Sequence, residues 1–325
     1  MKKRRSSFRR KRFRRLLLRK NDIEIQRQIA LKKPIEKKAP YNFSLIDNTS
    51  ECIKYLNDCK KLLHKKEVIY IDIEQVINIT PDAIALLAAC TNDESFRGRY
   101  GQIQGNAPKD RTLSRMFIES GFYNFVNSNQ ILKKAQKEKE NLFHKESHFQ
   151  VQPNIAKEAC LYGTKHVFSN VSPLPELYEM LIEAMSNTNN HANKTEPGST
   201  KWWLYVYNAP EHKTCYSFID LGVGIFDSLP VSKYKKMKKA IGFSHNADLV
   251  SDLLNGKIKS REKIDNKIRG KGIPQIAYNS SFDYFFKAFI ISNDVKIDLK
   301  TKKAERIKEN FSGTILYWEL INNNK

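Results

Sequence analysis

The clearest hydrophobic periodicity in the chain lies in residues 174–192. Apolar side chains recur there at helical spacing, at Leu174, Leu177, Met180, Leu181 and Ala184. This i, i+3, i+4 stripe predicts a helix with one buried face. On the same predicted helix Glu183, Asn187 and His191 are four residues apart and share a face. Polar groups in this position form either a solvated face or a site, and the stripe alone leaves both readings open.

The pattern after this helix predicts a sheet. Strands are predicted at 201–207, 214–220, 282–291 and 313–320, with the charged segment 298–309 as a turn or short helix. An extended segment is predicted near 159–167, before the helix. Residues 226–269 form a long insertion within this half.

The first half of the chain alternates between helical and strand-like patterns. Helices are predicted at 50–65, from Pro81, and at 112–122 with Gly121 as the cap; strands are predicted at 67–74 and 100–104. This order predicts an α/β unit over 41–127. Residues 21–40 indicate a linker with helical character, and the polar segment 128–157 indicates a partly helical connector.

Two glycine segments follow the polar helix. Asp220, Gly222 and Gly224 come at the end of a predicted strand, where a carboxylate suits an exocyclic amine and glycines allow the backbone to approach a flat ring. Gly270, Lys271 and Gly272 precede an apolar helical stretch, which suits a phosphate-binding turn. Either segment alone is weak evidence, because ordinary turns produce both.

Taken in order, the polar helix and the two glycine segments resemble the N, G1 and G2 boxes of the GHKL ATPases, the superfamily of gyrase, histidine-kinase, mismatch-repair and anti-sigma-kinase ATP-binding domains. Gly313-Thr314 resembles the start of the last strand of that fold. The resemblance covers about residues 155–322 and implies a Bergerat-type α/β sandwich, within the α/β (α+β) class, that binds ATP and Mg²⁺.

The resemblance also implies roles for single residues. Asn187 is the expected Mg²⁺ ligand, and Glu183 stands where hydrolysing members keep a general base. Asp220 is expected to accept from the adenine amine together with Thr314, with Gly222 and Gly224 close to the base. Gly270, Lys271 and Gly272 are expected to wrap the phosphates. His191 either touches phosphate or caps the helix.

Residues 45–127 resemble, more loosely, a STAS domain, the fold of the anti-sigma antagonists. Antagonists switched by phosphorylation carry a serine at the start of the helix that begins here with Thr80-Pro81, and Pro81 occupies that place. A structural or partner-docking role is therefore favoured over phosphorylation.

Charge adds a further expectation. The chain has a net charge of +22, and residues 1–20 hold twelve Lys or Arg and no acid. Such a segment is expected to be disordered until it binds a polyanion. RNA or DNA is the preferred partner and anionic lipid the second choice. The alternative is a leader that binds nothing specific and only aids solubility. Twelve further Lys or Arg between Lys233 and Lys271 suit a cationic lid over phosphates, or a solvated face.

The cysteines and the hydropathy pattern narrow the setting. Five scattered cysteines without a CxxC pair argue against a disulfide framework or a zinc site and favour a reducing cytoplasm. No apolar run is long enough to span a membrane, and the basic N-terminus lacks the apolar region of a secretory signal. The absence of a paired carboxylate cluster outside the boxes gives little support to a metal-dependent nuclease.

The expected organisation is a basic leader at 1–40, a STAS-like unit at 41–127, a connector at 128–157 and an ATP-binding domain at 158–325. The favoured function is a Mg²⁺-dependent ATPase whose lid closure or homodimerisation gates a partner or a nucleic-acid-linked activity. The alternatives are an anti-sigma-type serine/threonine kinase and an ATP sensor that does not hydrolyse. Autophosphorylation on histidine is disfavoured, because no His-Glu or His-Asp dipeptide occurs.

Overall fold

The computed structural model describes residues 23–25, 27–29, 31–97, 102–126, 142–146, 151–169, 172–193, 198–229, 245–258 and 272–322. These ranges form a mixed α/β structure with a three-stranded parallel sheet, a five-stranded antiparallel sheet and a two-stranded parallel pair. The predicted α/β (α+β) class is confirmed.

The first half of the chain builds the parallel sheet and its helices. Its elements are β1 (Ile35–Lys38), β2 (Asn42–Phe43), α1 (Thr49–His64), β3 (Ile69–Asp72), β4 (Asn78–Ile79), α2 (Pro81–Asn92), α3 (Glu94–Arg97), β5 (Ile103–Gly105) and α4 (Arg111–Glu119). The strand order is β1-β3-β5, with β3 in the centre. The predicted alternation of strands and helices is confirmed.

Residues 21–40 are predicted to be a linker with helical character; residues 23–25 and 27–29 are helical as expected, but residues 35–38 form strand β1. Its four residues pair in parallel with β3, from Ile35 opposite Ile69 to Lys38 opposite Asp72. Three of the four are charged and the strand is mostly exposed, so the alternation that identifies a half-buried strand is absent.

Helix α2 is buried on all sides. Pro81 stands in its first turn, as predicted, and every residue from Pro81 to Cys90 is buried. The carboxylate of Asp82 accepts a hydrogen bond from the backbone N–H of Leu45 at 2.9 Å. The Oγ1 atom of Thr80 is also buried. A helix that is apolar all round lies in the interior of a protein, so a structural role for this helix start accounts for Pro81.

The second half of the chain builds the antiparallel sheet. Its elements are β6 (Leu142–Glu146), α5 (Pro153–Phe168), α6 (Pro175–His191), β7 (Trp202–Ala209), β8 (Lys213–Asp220), α7 (Ile225–Ser228), α8 (Val250–Leu254), α9 (Gly272–Asn279), β9 (Phe285–Asp298) and β10 (Lys303–Leu320). The strand order is β6-β7-β8-β10-β9. The polar helix and the four predicted strands are confirmed as elements.

Two local predictions in this half are wrong. Residues 159–167, predicted to be extended, belong to helix α5, whose buried residues Ala156, Ala159, Cys160, Gly163, Thr164 and Val167 have helical spacing. The charged segment 298–309 is neither a turn throughout nor a helix, because β10 already begins at Lys303 and pairs with β9. Strand β6, whose residues fall in the predicted connector, pairs with β7.

The antiparallel sheet has a core on each face. One face packs against α5, α6 and α9, and that core contains Trp202, Phe218 and Leu316. On the opposite face Trp203 and Ile219 share a core with residues of α2, which packs against β7 and β8. The two halves of the chain therefore pack together through α2, while the residues considered below lie on the α6 side.

Candidate functional site

Helix α6 carries candidate residues on two adjacent faces. Its apolar stripe, which includes Leu177, Leu181 and Ala184, is buried. Glu183 and Asn187 are only partly exposed. Thr188 follows Asn187 and is turned about 100° further round the helix axis. One helix thus presents side chains to two neighbouring elements, α9 on one side and the end of β8 on the other.

The first contact is with the N-terminus of α9. A Cβ atom built on Gly272 would lie 2.9 Å from Oε2 of Glu183 and 2.9 Å from both amide atoms of Asn187. Only glycine permits this approach without displacing those side chains. The structure therefore brings Glu183, Asn187 and Gly272 together at a helix N-terminus, where backbone N–H groups favour anions.

A second set of contacts fixes α9 on α6. Gln275 donates to Oε2 of Glu179 at 3.2 Å, and Asn279 donates to the same oxygen at 3.0 Å. Asn279 also donates to the backbone carbonyl of Glu176 at 3.1 Å. Since Glu179 lies one turn before Glu183, these bonds hold α9 along the polar face of α6.

The polar groups at this contact have bonding capacity that the described residues do not use. Burial raises the pKa of Glu183 above its ordinary value, and the neighbouring charge of Glu179 raises it further. In the part of the chain that the structure describes, Nδ2 of Asn187 is buried and has no hydrogen-bond partner. Such an orphaned group costs about 1–3 kcal/mol. The other amide atom of Asn187, Oδ1, is the kind of oxygen ligand that a hard cation takes.

The second face of α6 meets the end of β8 at Asp220. Its Oδ2 accepts from Thr188 at 3.4 Å, and its Oδ1 accepts from the backbone N–H of Gly222 at 2.9 Å. Thr314 lies opposite Asp220 on β10 and also donates to its carboxylate. Burial raises the pKa of Asp220 to about 6 although these hydrogen bonds lower it. The ionised carboxylate keeps lone pairs for one more donor.

The loop after β8 is held tightly between α6 and β9. A side chain on Gly222 would overlap the backbone of Ala192, whose carbonyl accepts from the N–H of Val223 at 2.9 Å. Gly224 has a φ of 84° and packs against the side chain of Asn293. Both glycines therefore allow close backbone approach, here to the protein itself; their contact with a base stays a prediction.

The remaining predicted site residues are less informative. His191 is the last residue of α6 and is partly exposed. Gly270 and Lys271 lie outside the described residues, as do most of the predicted lid and the basic leader 1–20. Of the predicted lid, the structure describes residues 245–258.

Sequence reasoning missed two residues of this region. Thr188 continues the apolar stripe of α6 four residues after Ala184, and a polar residue at a buried position was the available signal. Asn293 lies within a strand, and its φ of 53° is left-handed. The polar run Ser292-Asn293-Asp294 inside an otherwise apolar strand pattern indicated an irregularity there.

Comparisons with known proteins add no assignment, since no protein-family model and no curated protein matches this chain. Among the described residues, no group of three or more His, Cys, Asp or Glu side chains is placed to hold a metal ion. None of the helices in those ranges has the length and apolar character needed to cross a membrane.

Proposed function

We propose that this chain binds ATP with Mg²⁺ and hydrolyses it, in a GHKL-type site on a Bergerat-type sandwich joined to a STAS-like unit. One observation carries the proposal: Glu183 and Asn187 of the polar helix and Gly272 of the second glycine segment, which are separate sequence motifs, converge at the N-terminus of α9. Together they supply the groups that hydrolysis of Mg-ATP needs: an amide to bind the cation, a carboxylate to activate water, and backbone N–H groups to bind phosphate.

The adenine end of the site is proposed at Asp220. Its carboxylate accepts the exocyclic amine of adenine, while Thr188 and Thr314 hold it in place. Guanine presents an oxygen where adenine presents the amine, which leaves the buried carboxylate without its donor. A mismatch of this kind costs about 1–3 kcal/mol, so the geometry supports adenine over guanine.

The phosphate end is proposed at the start of α9. Asn187 would hold Mg²⁺ there, and the cation would supply charge neutralisation of the phosphates. Glu183 removes a proton from the attacking water, and its raised pKa makes it a stronger base than an exposed glutamate. A base in this position contributes about 10²–10⁴-fold to the rate. The first N–H groups of α9 bind phosphate oxygens.

The partner of this activity is proposed to be RNA or DNA. The net charge of +22, concentrated in the leader and the lid, supports a polyanion. A protein partner of the STAS-like unit and homodimerisation on ATP binding are the other routes by which the ATPase would gate an activity. The five described cysteines are all free and buried, which supports a reducing compartment such as the cytoplasm.

Phosphate release tests the proposed hydrolysis. Wild type is expected to release phosphate from Mg-ATP, faster with RNA or DNA, and Glu183→Gln to lose about 10²-fold or more of that rate. Glu211→Gln, in the exposed turn after β7, is the matched control and keeps the wild-type rate. A wild-type rate no higher than that of Glu183→Gln would refute hydrolysis and leave the sensor; labelled phosphate on a protein would indicate the kinase.

A further inference from the structure

One buried side chain ties the loop after β8 to the neighbouring strand. Asn293 of β9 is 1% exposed. Its Oδ1 accepts from the backbone N–H of Phe226 at 3.1 Å, and its Nδ2 donates to the backbone carbonyl of Val223 at 3.0 Å. Nδ2 also donates to Oδ2 of Asp227 at 3.1 Å. A single amide thus bonds to residues on both sides of Gly224.

The backbone at Asn293 places its amide against Gly224. The residue has a φ of 53°, and the pairing of β9 with β10 shifts register on either side of its partner Phe311. Asparagine tolerates this left-handed conformation better than most L-residues. A Cβ on Gly224 would meet the Asn293 amide, so the two positions fit each other directly.

The residue before Asn293 extends the same attachment to β10. Oγ of Ser292 accepts from the backbone N–H of Ile225 at 2.8 Å and donates to the carbonyl of Gly313 at 2.7 Å. Gly313 precedes Thr314, the partner of Asp220. The loop is therefore bonded to β9 and linked through Ser292 to β10, the strand that carries Thr314.

We propose that Asn293 is a positioning residue for adenine nucleotides, a role that rests on the proposed function. It holds residues 222–226 in the position in which the N–H of Gly222 donates to Asp220. In the same position the loop backbone would contact the adenine base. Asn293 itself does not touch the nucleotide. Its loss weakens binding of every adenine-containing ligand by a similar factor, with or without Mg²⁺, whereas loss of Asn187 weakens only the Mg²⁺-dependent part.

The test uses Asn293→Gly, because glycine adopts the same φ without strain and so removes only the amide contacts. Mg-ATP and Mg²⁺-free ADP are titrated into the full chain. Both affinities are expected to fall about tenfold, since at least one net hydrogen bond to the loop is lost. Lys302→Gly is the matched control, an exposed turn residue with a φ of 56°, and leaves both affinities unchanged.

Hydrogen exchange of the nucleotide-free protein reads the attachment without a ligand. Asn293→Gly is expected to speed exchange of the Phe226 amide, because the acceptor of that amide, Oδ1 of Asn293, is removed. Unchanged exchange and affinities in Asn293→Gly would overturn the proposal. If wild type binds no adenine nucleotide, the proposed function fails together with the nucleotide role, even where exchange shows that the loop is tied down.

Discussion

The proposed role of Asp220 can be tested through its pH dependence. It is buried at the end of β8, and this burial raises its pKa from the ordinary value of 3.8 to about 6. Because the folded-state pKa is the higher one, its contribution to stability is fully present below the unfolded pKa and is lost as pH rises through 6. A bound adenine amine would offset the cost of ionising this buried carboxyl, because it donates a hydrogen bond to the ionised form.

Adenine-nucleotide affinity should therefore depend on pH through Asp220. The ionised carboxylate accepts the amine more strongly than the protonated carboxyl, so the apparent Kd of ADP should rise, by up to about tenfold, as the pH falls from 7 to 5. The Asp220→Asn variant is expected to bind ADP more weakly and to lack the pH dependence that comes from Asp220. Subtracting its pH profile from that of wild type removes the contribution of the nucleotide's own titration. Parallel profiles for the two proteins in calorimetric titrations would exclude Asp220 as the adenine acceptor.

Among the elements, α6 and β8 were predictable and their surroundings were less so. The apolar stripe of α6 identified the helix, and its polar positions identified Glu183 and Asn187, because the spacing of a helix is fixed locally. That Gly272 contacts both depends on how α9 packs, which the spacing does not encode. Gly222 and Gly224 were predicted to lie near a ligand, yet their closest neighbours are Ala192 and Asn293.

The elements that sequence reasoning misassigned have weak hydrophobic patterns, and the physical reason differs from one element to the next. Strand β1 has too few apolar residues to show alternation, and its identity comes from pairing with β3. The buried residues of helix α5 are mostly small, so their helical spacing is a weaker signal than the β-branched and aromatic residues that are typical of strands. The first part of β10 is charged because it extends beyond β8 and pairs only with β9.

For the whole molecule, the central feature is the helix that the two sheets share. The core around α2 includes Trp203 and Ile219 of the antiparallel sheet, and Phe125 contacts the Trp203 ring edge-on at 5.6 Å between centroids. Separating the halves would expose α2 and one face of the sheet to water, at about 25 cal/mol per Å² of apolar surface. The halves should therefore unfold together.

Cooperative unfolding can be read with probes that the chain already contains. The three tryptophans lie in the antiparallel sheet, and Cys52, Cys59 and Cys90 are buried in the first half. With Cys160 and Cys215 replaced by alanine, denaturant curves from tryptophan fluorescence and from thiol labelling are expected to coincide. Two separated transitions would show that the halves are independent domains and that α2 contributes little to their association.

The most direct test of the central claim is calorimetric titration of ATP into wild type and Asn187→Ala, with and without Mg²⁺. Wild type is expected to bind more tightly with Mg²⁺, and Asn187→Ala to lose that gain while keeping its Mg²⁺-free affinity. Asn57→Ala, the same change on α1, is the control and behaves as wild type. No ATP binding by wild type, or an undiminished Mg²⁺ effect in Asn187→Ala, would contradict the assignment of this site.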